Sequence, residues 1–117
     1  MNSVSGEAAE AHACAHLQAA GLTLVCRNYR CRGGEIDLVM RDGETVVFVE
    51  VRFRASARFG TALESVDRRK RARLVVAALH YLQHNRVRAP CRFDVVGLGP
   101  ERGGSGLEWI RDAFSLG

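Results

Sequence analysis

Residues 33–54, GGEIDLVMRDGETVVFVEVRFR, constrain the fold of this chain more than any other stretch. Two β-leaning runs, EIDLVM and TVVFVEVRF, flank Asp42-Gly43, a dipeptide favoured in two-residue hairpin turns. In such a hairpin side chains alternate, so Glu35 and Asp37 lie on one side of their strand while Ile36 and Leu38 lie on the other. In the next strand Phe48, Glu50 and Arg52 share a face and Val47, Val49 and Val51 take the opposite one. With Asp42-Gly43 as the turn, Arg41 pairs with Glu44, which sets Asp37 against Phe48 and Glu35 against Glu50. Asp37 is then diagonal to Glu50, roughly 7–8 Å away between Cα atoms. A three-residue turn would put Asp37 opposite Val49 and bury acids against valines, which the pattern opposes.

Carboxylates gathered on one face repel, and partial burial beside Phe48 raises the cost of that repulsion. A cation would relieve it. Carboxylate oxygens with no histidine or thiolate among them suit a hard ion such as Mg²⁺ or Mn²⁺ better than zinc. An ion of that kind can hold a phosphate oxygen and polarise a water for in-line attack on phosphorus. The competing reading is a solvated sheet face of ordinary acids, some paired with arginines.

The remaining elements follow from periodicity and punctuation. An alanine-rich, proline-free stretch from about Glu7 to Ala20 reads as a helix, with Ser5 as cap and Gly21 as terminator. LTLVCRNYRC is a first strand. A second helix is expected from about Ser65 to His84, with Glu64 and Asp67 near its start and an apolar face at Val75, Leu79 and Leu82 beside Ala78. CRFDVVGL is a further strand, GPERGGSG a flexible turn and LEWIRDAF a last strand or edge. The order is α-β-β-β-α-β-β, an α/β chain. At 117 residues, 47% of them hydrophobic, residues 1–117 suffice for a single domain. No apolar run approaches the ~18 residues that span a bilayer, and the start lacks a signal peptide's basic and apolar regions, so no membrane role and a cytoplasmic location are expected. Cys14, Cys26, Cys31 and Cys91 form no CxxC pair, which favours buried free thiols.

The formal charge of +4 is mild, so its distribution matters more than its size. Arg68, Arg69, Lys70, Arg71 and Arg73 crowd the first turns of the second helix, where positive charge is unfavourable unless an anion such as a phosphate backbone answers it. A solvated face offset by Glu64 and Asp67 is the alternative. Arg27, Arg30, Arg32, Arg54 and Arg58 flank the acidic hairpin and extend a basic rim. His12 with His16, and His80 with His84, are spaced i,i+4 but have neither an intervening acid nor a third ligand. Trp109 and Phe114 read as a lid on the core rather than a base-stacking platform.

GGEIDLV followed by VFVEVR resembles the D-x(n)-(D/E)-x-K signature of the restriction-endonuclease-like PD-(D/E)XK nucleases, in the form found in archaeal Holliday-junction resolvases. The chain is more closely similar to the small bacterial YraN family of uncharacterised predicted nucleases. That likeness rests on Glu10 with HLQAAG, RNYRCRGGEIDLV, VFVEVRFR, a basic K..RL helix, RFDVV and WIRDAF. The resemblance implies a restriction-endonuclease-like core, a mixed central sheet flanked by helices, and Mg²⁺- or Mn²⁺-dependent hydrolysis of phosphodiester bonds in DNA, selecting structures such as junctions or flaps. It implies Asp37 and Glu50 as catalytic metal-binding acids, with Glu10 and the Val51 carbonyl completing the metal site and Glu35 as an outer ligand. Arg52 stands where the superfamily has its lysine. Arginine stays charged, so it can orient water or neutralise the phosphorane but cannot serve as base. Nucleic-acid contacts fall to Arg54, Arg68, Arg69, Lys70, Arg71 and Arg73, and a homodimer is the usual assembly. Two other readings stay open: a non-catalytic nucleic-acid-binding protein that keeps the fold, and a purely structural domain.

Overall fold

The structure is a computed structural model, which describes residues 2–53, 66–99 and 106–116, with side chains from Gly6 onward. Arg54, Arg58, Glu64, Ser65 and most of GPERGGSG lie outside the described residues. Helix α1 spans Asn2–Ala19, β1 Thr23–Cys31, β2 Gly34–Asp42, β3 Thr45–Phe53, α2 Arg68–His84, β4 Cys91–Leu98 and β5 Leu107–Phe114. The strands form one sheet in sequence order. All neighbours are antiparallel except β3 and β4, which run parallel across the connection that carries α2. The expected α-β-β-β-α-β-β order and mixed sheet flanked by helices are what the chain adopts.

Alternation along the central strands divides the core into two layers. Val46, Phe48, Phe93 and Val95 pack with Leu74, Ala77, Ala78 and Tyr81 of α2. Val47, Val49 and Val96 pack with Ala13, Cys14 and Leu17 of α1. The two helices therefore cover opposite faces of the sheet. Both differ in detail from the sequence expectation. Helix α1 begins at Asn2, so Ser5 is inside it rather than capping it. Helix α2 begins at Arg68, where Asp67 caps it by accepting from Lys70 N at 2.9 Å. Its buried residues are Leu74, Ala77, Ala78 and Tyr81, whereas Leu79 is 52% exposed. The inward stripe sets Ala77 and Ala78 between Leu74 and Tyr81, with Val75 and Leu82 half-buried beside it, and the two alanines let α2 lie close to the sheet.

The β2–β3 register also differs. Asp42 pairs with Thr45, so the two-residue turn is Gly43-Glu44 rather than Asp42-Gly43. Gly43, with φ 63°, takes the first central position, where type II′ hairpins favour glycine. The slip of two residues preserves which side chains share a face and changes only which ones are opposed.

A closer departure occurs at Asp37. Gly34 and Ile36 face α2, but Leu38 and Met40 pack with α1. Ile36 and Leu38 are thus on opposite faces, contrary to simple alternation. In β1, Asn28 adopts φ 51° at the same level, between the pairs Arg27↔Leu38 and Tyr29↔Ile36. Asparagine tolerates this left-handed conformation better than most residues. Both strands therefore change face together, and Asp37 sits at the point of change.

Candidate metal centre at the strand fork

Strands β2 and β3 each run nine residues, yet their ladder stops at Leu38↔Val49. Beyond that pair the strands part, and Asp37 fills the fork. Its Oδ2 accepts from Val51 N at 2.8 Å, so a side chain takes the place of a ladder partner. One residue further along the register, Glu50 is level with Asp37 rather than diagonal to it, and their carboxyl groups share a hydrogen bond. The Glu50 side chain is only 13% exposed.

Two acids this close and this poorly hydrated resist ionising together. Burial, then the Asp37 charge, push the Glu50 carboxyl up to about 8. Burial also raises Asp37, opposed by the Val51 amide and the hydrogen bond from Glu50. Glu50 is accordingly the proton-bearing partner at neutral pH. Arg52 Nη1 lies 3.6 Å from Glu50 Oε2, close enough to favour ionisation without removing the burial cost.

The other acids take different positions. Glu10 projects from α1 into the field of Asp37; burial first and that charge second raise its carboxyl, while a hydrogen bond from Asn28 lowers it. Asn28 thus both turns β1 and steadies Glu10. Glu35 is half-exposed and pairs with Arg30 at 3.7 Å, and its charge also helps to raise Asp37. Among the described residues no three His, Cys, Asp or Glu side chains are already gathered as a metal cage. Asp37 and Glu50 meet, and Glu10 stands behind them. Val51 enters the site through its amide.

A family model described as "Uncharacterised protein family UPF0102" matches residues 9–98, a span that contains Glu10, Asp37, Glu50 and all of α2. This chain belongs to the UPF0102 family. Among UPF0102 proteins, one from Nitrosococcus oceani is 55% identical over 113 residues, covering 95% of this chain and 91% of that protein. Another from Pseudomonas entomophila is 55% identical over 115 residues, covering 96% and 94%. A third, from Cupriavidus pinatubonensis, is 57% identical over 113 residues, covering 95% and 85%.

The basic residues of this UPF0102 chain do not act as one patch. Arg71 donates from Nε to Val66 O at 3.0 Å and lies over the Phe114 ring at 5.2 Å. Lys70, on the neighbouring face, reaches into the field of Glu50 and favours its ionised form. Arg54 lies outside the described residues. The histidines are exposed and make ring contacts: His80 stacks on His84, and His16 meets Trp109 edge-on. Among the described residues, no helix is long and apolar enough to cross a membrane. All four cysteines are free, but only Cys14 is buried as expected; Cys26, Cys31 and Cys91 are half-buried.

Two structural residues escaped the sequence reading. Asp94, 1% exposed, accepts from Arg92 Nε at 3.0 Å, Arg92 Nη2 at 3.2 Å, Trp109 Nε1 at 2.9 Å and Asp112 N at 3.0 Å. Arg92 also donates to Asp42 Oδ2 at 2.9 Å, tying the β2–β3 turn to β4. The signal was a lone acid inside the apolar run CRFDVVGL. Gly34 is the second. A Cβ there would meet Arg73 O at 2.2 Å and Ala77 N at 2.9 Å, so the α2 backbone rests directly on β2.

Proposed function

We propose that this UPF0102 protein is a metal-dependent nuclease that hydrolyses phosphodiester bonds of DNA at the fork between β2 and β3. The observation that carries the reading is the Asp37–Glu50 pair: two half-buried carboxyl groups held in contact, one of them lifted to about 8. A fold has no structural need for such a pair, because replacing one acid with an amide would keep the hydrogen bond and remove the repulsion. Strongly perturbed acids gathered at one point are characteristic of functional sites.

The donor set fits a hard divalent cation. It offers carboxylate oxygens from Asp37 and Glu50, with Glu10 in reserve on α1 and the Val51 carbonyl next in the chain, and neither thiolate nor imidazole. Mg²⁺ or Mn²⁺ bound there would supply Lewis-acid charge to a phosphodiester oxygen and acidify a water. The protein's own residues do the rest. Glu50 must give up its proton before it can ligate, so binding strengthens as pH approaches 8. Val51 N fixes the Asp37 carboxylate in orientation. Arg52, permanently charged, would neutralise the pentacoordinate phosphorane and favours the ionised form of Glu50. Glu35 and Arg30 lie further out, at the rim. Structure selectivity for junctions or flaps, and action as a homodimer, belong to the same proposal and rest on the resemblance alone.

The test is cleavage of labelled junction, flap, duplex and single-stranded DNA with Mg²⁺ or Mn²⁺, comparing the protein with Asp37→Asn and Glu50→Gln purified identically. Cutting that requires the metal and both acids supports the nuclease, with each variant at least ~100-fold slower. Cutting that survives both substitutions would sink it. A second reading has one observation in its favour, the Arg52–Glu50 ion pair, in which arginine cannot take a proton from water. On that reading the protein binds nucleic acid without turnover. Activity appearing only in Arg52→Lys would favour it.

A further inference from the structure

The five cations at the start of α2 divide into two groups with different surroundings. Arg68 and Arg71 line a hollow with Val75, Phe114 and Leu116, and Arg71 is held there by Val66 O and the Phe114 ring. Arg69, Lys70 and Arg73 line a separate open concavity of about 350 Å³ with Asp67. Among the described residues, no ion pair engages Arg69, Lys70 or Arg73. Asp67 is occupied in capping, accepting from Lys70 N. Three cationic side chains therefore line the concavity, and the one acid beside them is engaged with the helix backbone.

One contact fixes its position relative to the acid pair, and the charge of Lys70, felt at Glu50, agrees with it. Gly34 brings the Arg73 carbonyl against the first residue of β2, three residues before Asp37. The α2 backbone therefore cannot swing away from the fork without vacating that contact.

We propose that the concavity of Arg69, Lys70 and Arg73 seats a backbone phosphate of the nucleic-acid strand, next to the phosphodiester presented to Asp37 and Glu50, and that Arg68 and Arg71 take no part. This rests on the nuclease reading for the second phosphate, but not for the first. A phosphodiester group carries one negative charge and has acceptor oxygens on several sides, which three cations on adjacent turns can engage together. Lys70 faces both the concavity and the acids. It would bridge the seated phosphate and the site, setting the strand's register.

The experiment measures binding of a labelled duplex with a single-stranded tail to full-length Asp37→Asn protein, without divalent cation, across 50–200 mM NaCl. Three backgrounds are compared: Asp37→Asn alone, with Arg69→Ala/Arg73→Ala, and with the charge-matched Arg71→Ala/Arg88→Ala, each checked for folding by circular dichroism. The concavity predicts that the first pair lowers the slope of log affinity on log salt by about 1 and weakens binding ~10-fold or more, since one phosphate contact contributes ~0.9 to the slope for duplex DNA. The second pair should leave the slope unchanged. Equal slopes for the Arg69/Arg73 variant and its parent would overturn the proposal, as would equal losses from both pairs or a parent that does not bind. Cleavage by the protein with Asp37 intact is read separately. Cutting with unchanged slopes removes the concavity and leaves the nuclease. A lowered slope without cutting removes the nuclease and leaves the concavity.

Discussion

Glu50 carries the clearest thermodynamic signature of any single residue in this protein. Its carboxyl titrates at about 8 when folded against an ordinary 4.5. Between those values the folded state holds a proton that the unfolded state has released, so stability falls as pH rises through the window. Below pH 4.5 both states are protonated and the penalty is absent; above pH 8 it is complete. Glu50→Gln removes it, so the variant should gain on the parent from pH 5 to pH 9 by on the order of 2–4 kcal/mol. Denaturant midpoints across that range check this, and a gap that does not change with pH would refute it. Asp94 plays a structural part instead. All its donors are protein groups, including an Arg92 guanidinium that also serves Asp42. Asp94→Asn leaves that cation without its buried countercharge and should cost ~3 kcal/mol, measured by urea unfolding at pH 7. A loss below ~1 kcal/mol would mean that the cluster is dispensable.

At the scale of elements, the seat of α2 on β2 decides whether the basic turn meets the acid pair. Gly34 has ordinary backbone torsion but no room for a Cβ, because the atoms it would strike belong to the helix backbone. Gly34→Ala would normally gain a few tenths of a kcal/mol through the unfolded state, but here the helix must shift, at a cost of ~3 kcal/mol or more. Thermal melting should show a fall of roughly 10 °C, and displacement of Lys70 and Arg73 should weaken DNA binding in the same variant. A melting temperature within ~2 °C of the parent would show that the contact can relax freely. This contact also marks the limit of what could be read from the chain. The strands announced themselves through runs such as TVVFVEVRF, and the convergence of Asp37 and Glu50 on one site followed from alternation. The register slipped by two because Asp42-Gly43 and Gly43-Glu44 are both acceptable turns, and a glycine fits either. The change of face at Asp37 depends on the φ of Asn28 in the neighbouring strand, a tertiary match that no local pattern encodes. Leu79 was misplaced because the inward stripe of α2 uses alanines, and an apolar count favours the larger exposed side chain.

For the whole molecule, a central sheet sealed on both faces by helices leaves its weakest point where β2 and β3 separate. The fork gives up ladder hydrogen bonds and holds like-charged groups, two costs that the layers of aliphatic packing elsewhere must offset. A divalent cation at the fork would relieve the second, so metal binding should appear as global stability even without any substrate. At a Mn²⁺ concentration ten times the dissociation constant the gain is about 1.4 kcal/mol, or roughly 5 °C in melting temperature for a chain of this size. Because the ion must displace the Glu50 proton, apparent affinity should rise close to tenfold per pH unit from about 6 to 8 and then level off. Melting with and without Mn²⁺ at pH 6, 7 and 8, on the parent and on Asp37→Asn, reads all of this without an assay of cleavage. A shift that grows with pH in the parent and vanishes in the variant places the ion on the acid pair. A shift that is the same in both proteins, or flat with pH, puts it on some other part of the surface, and the strain at the fork would then need a different explanation.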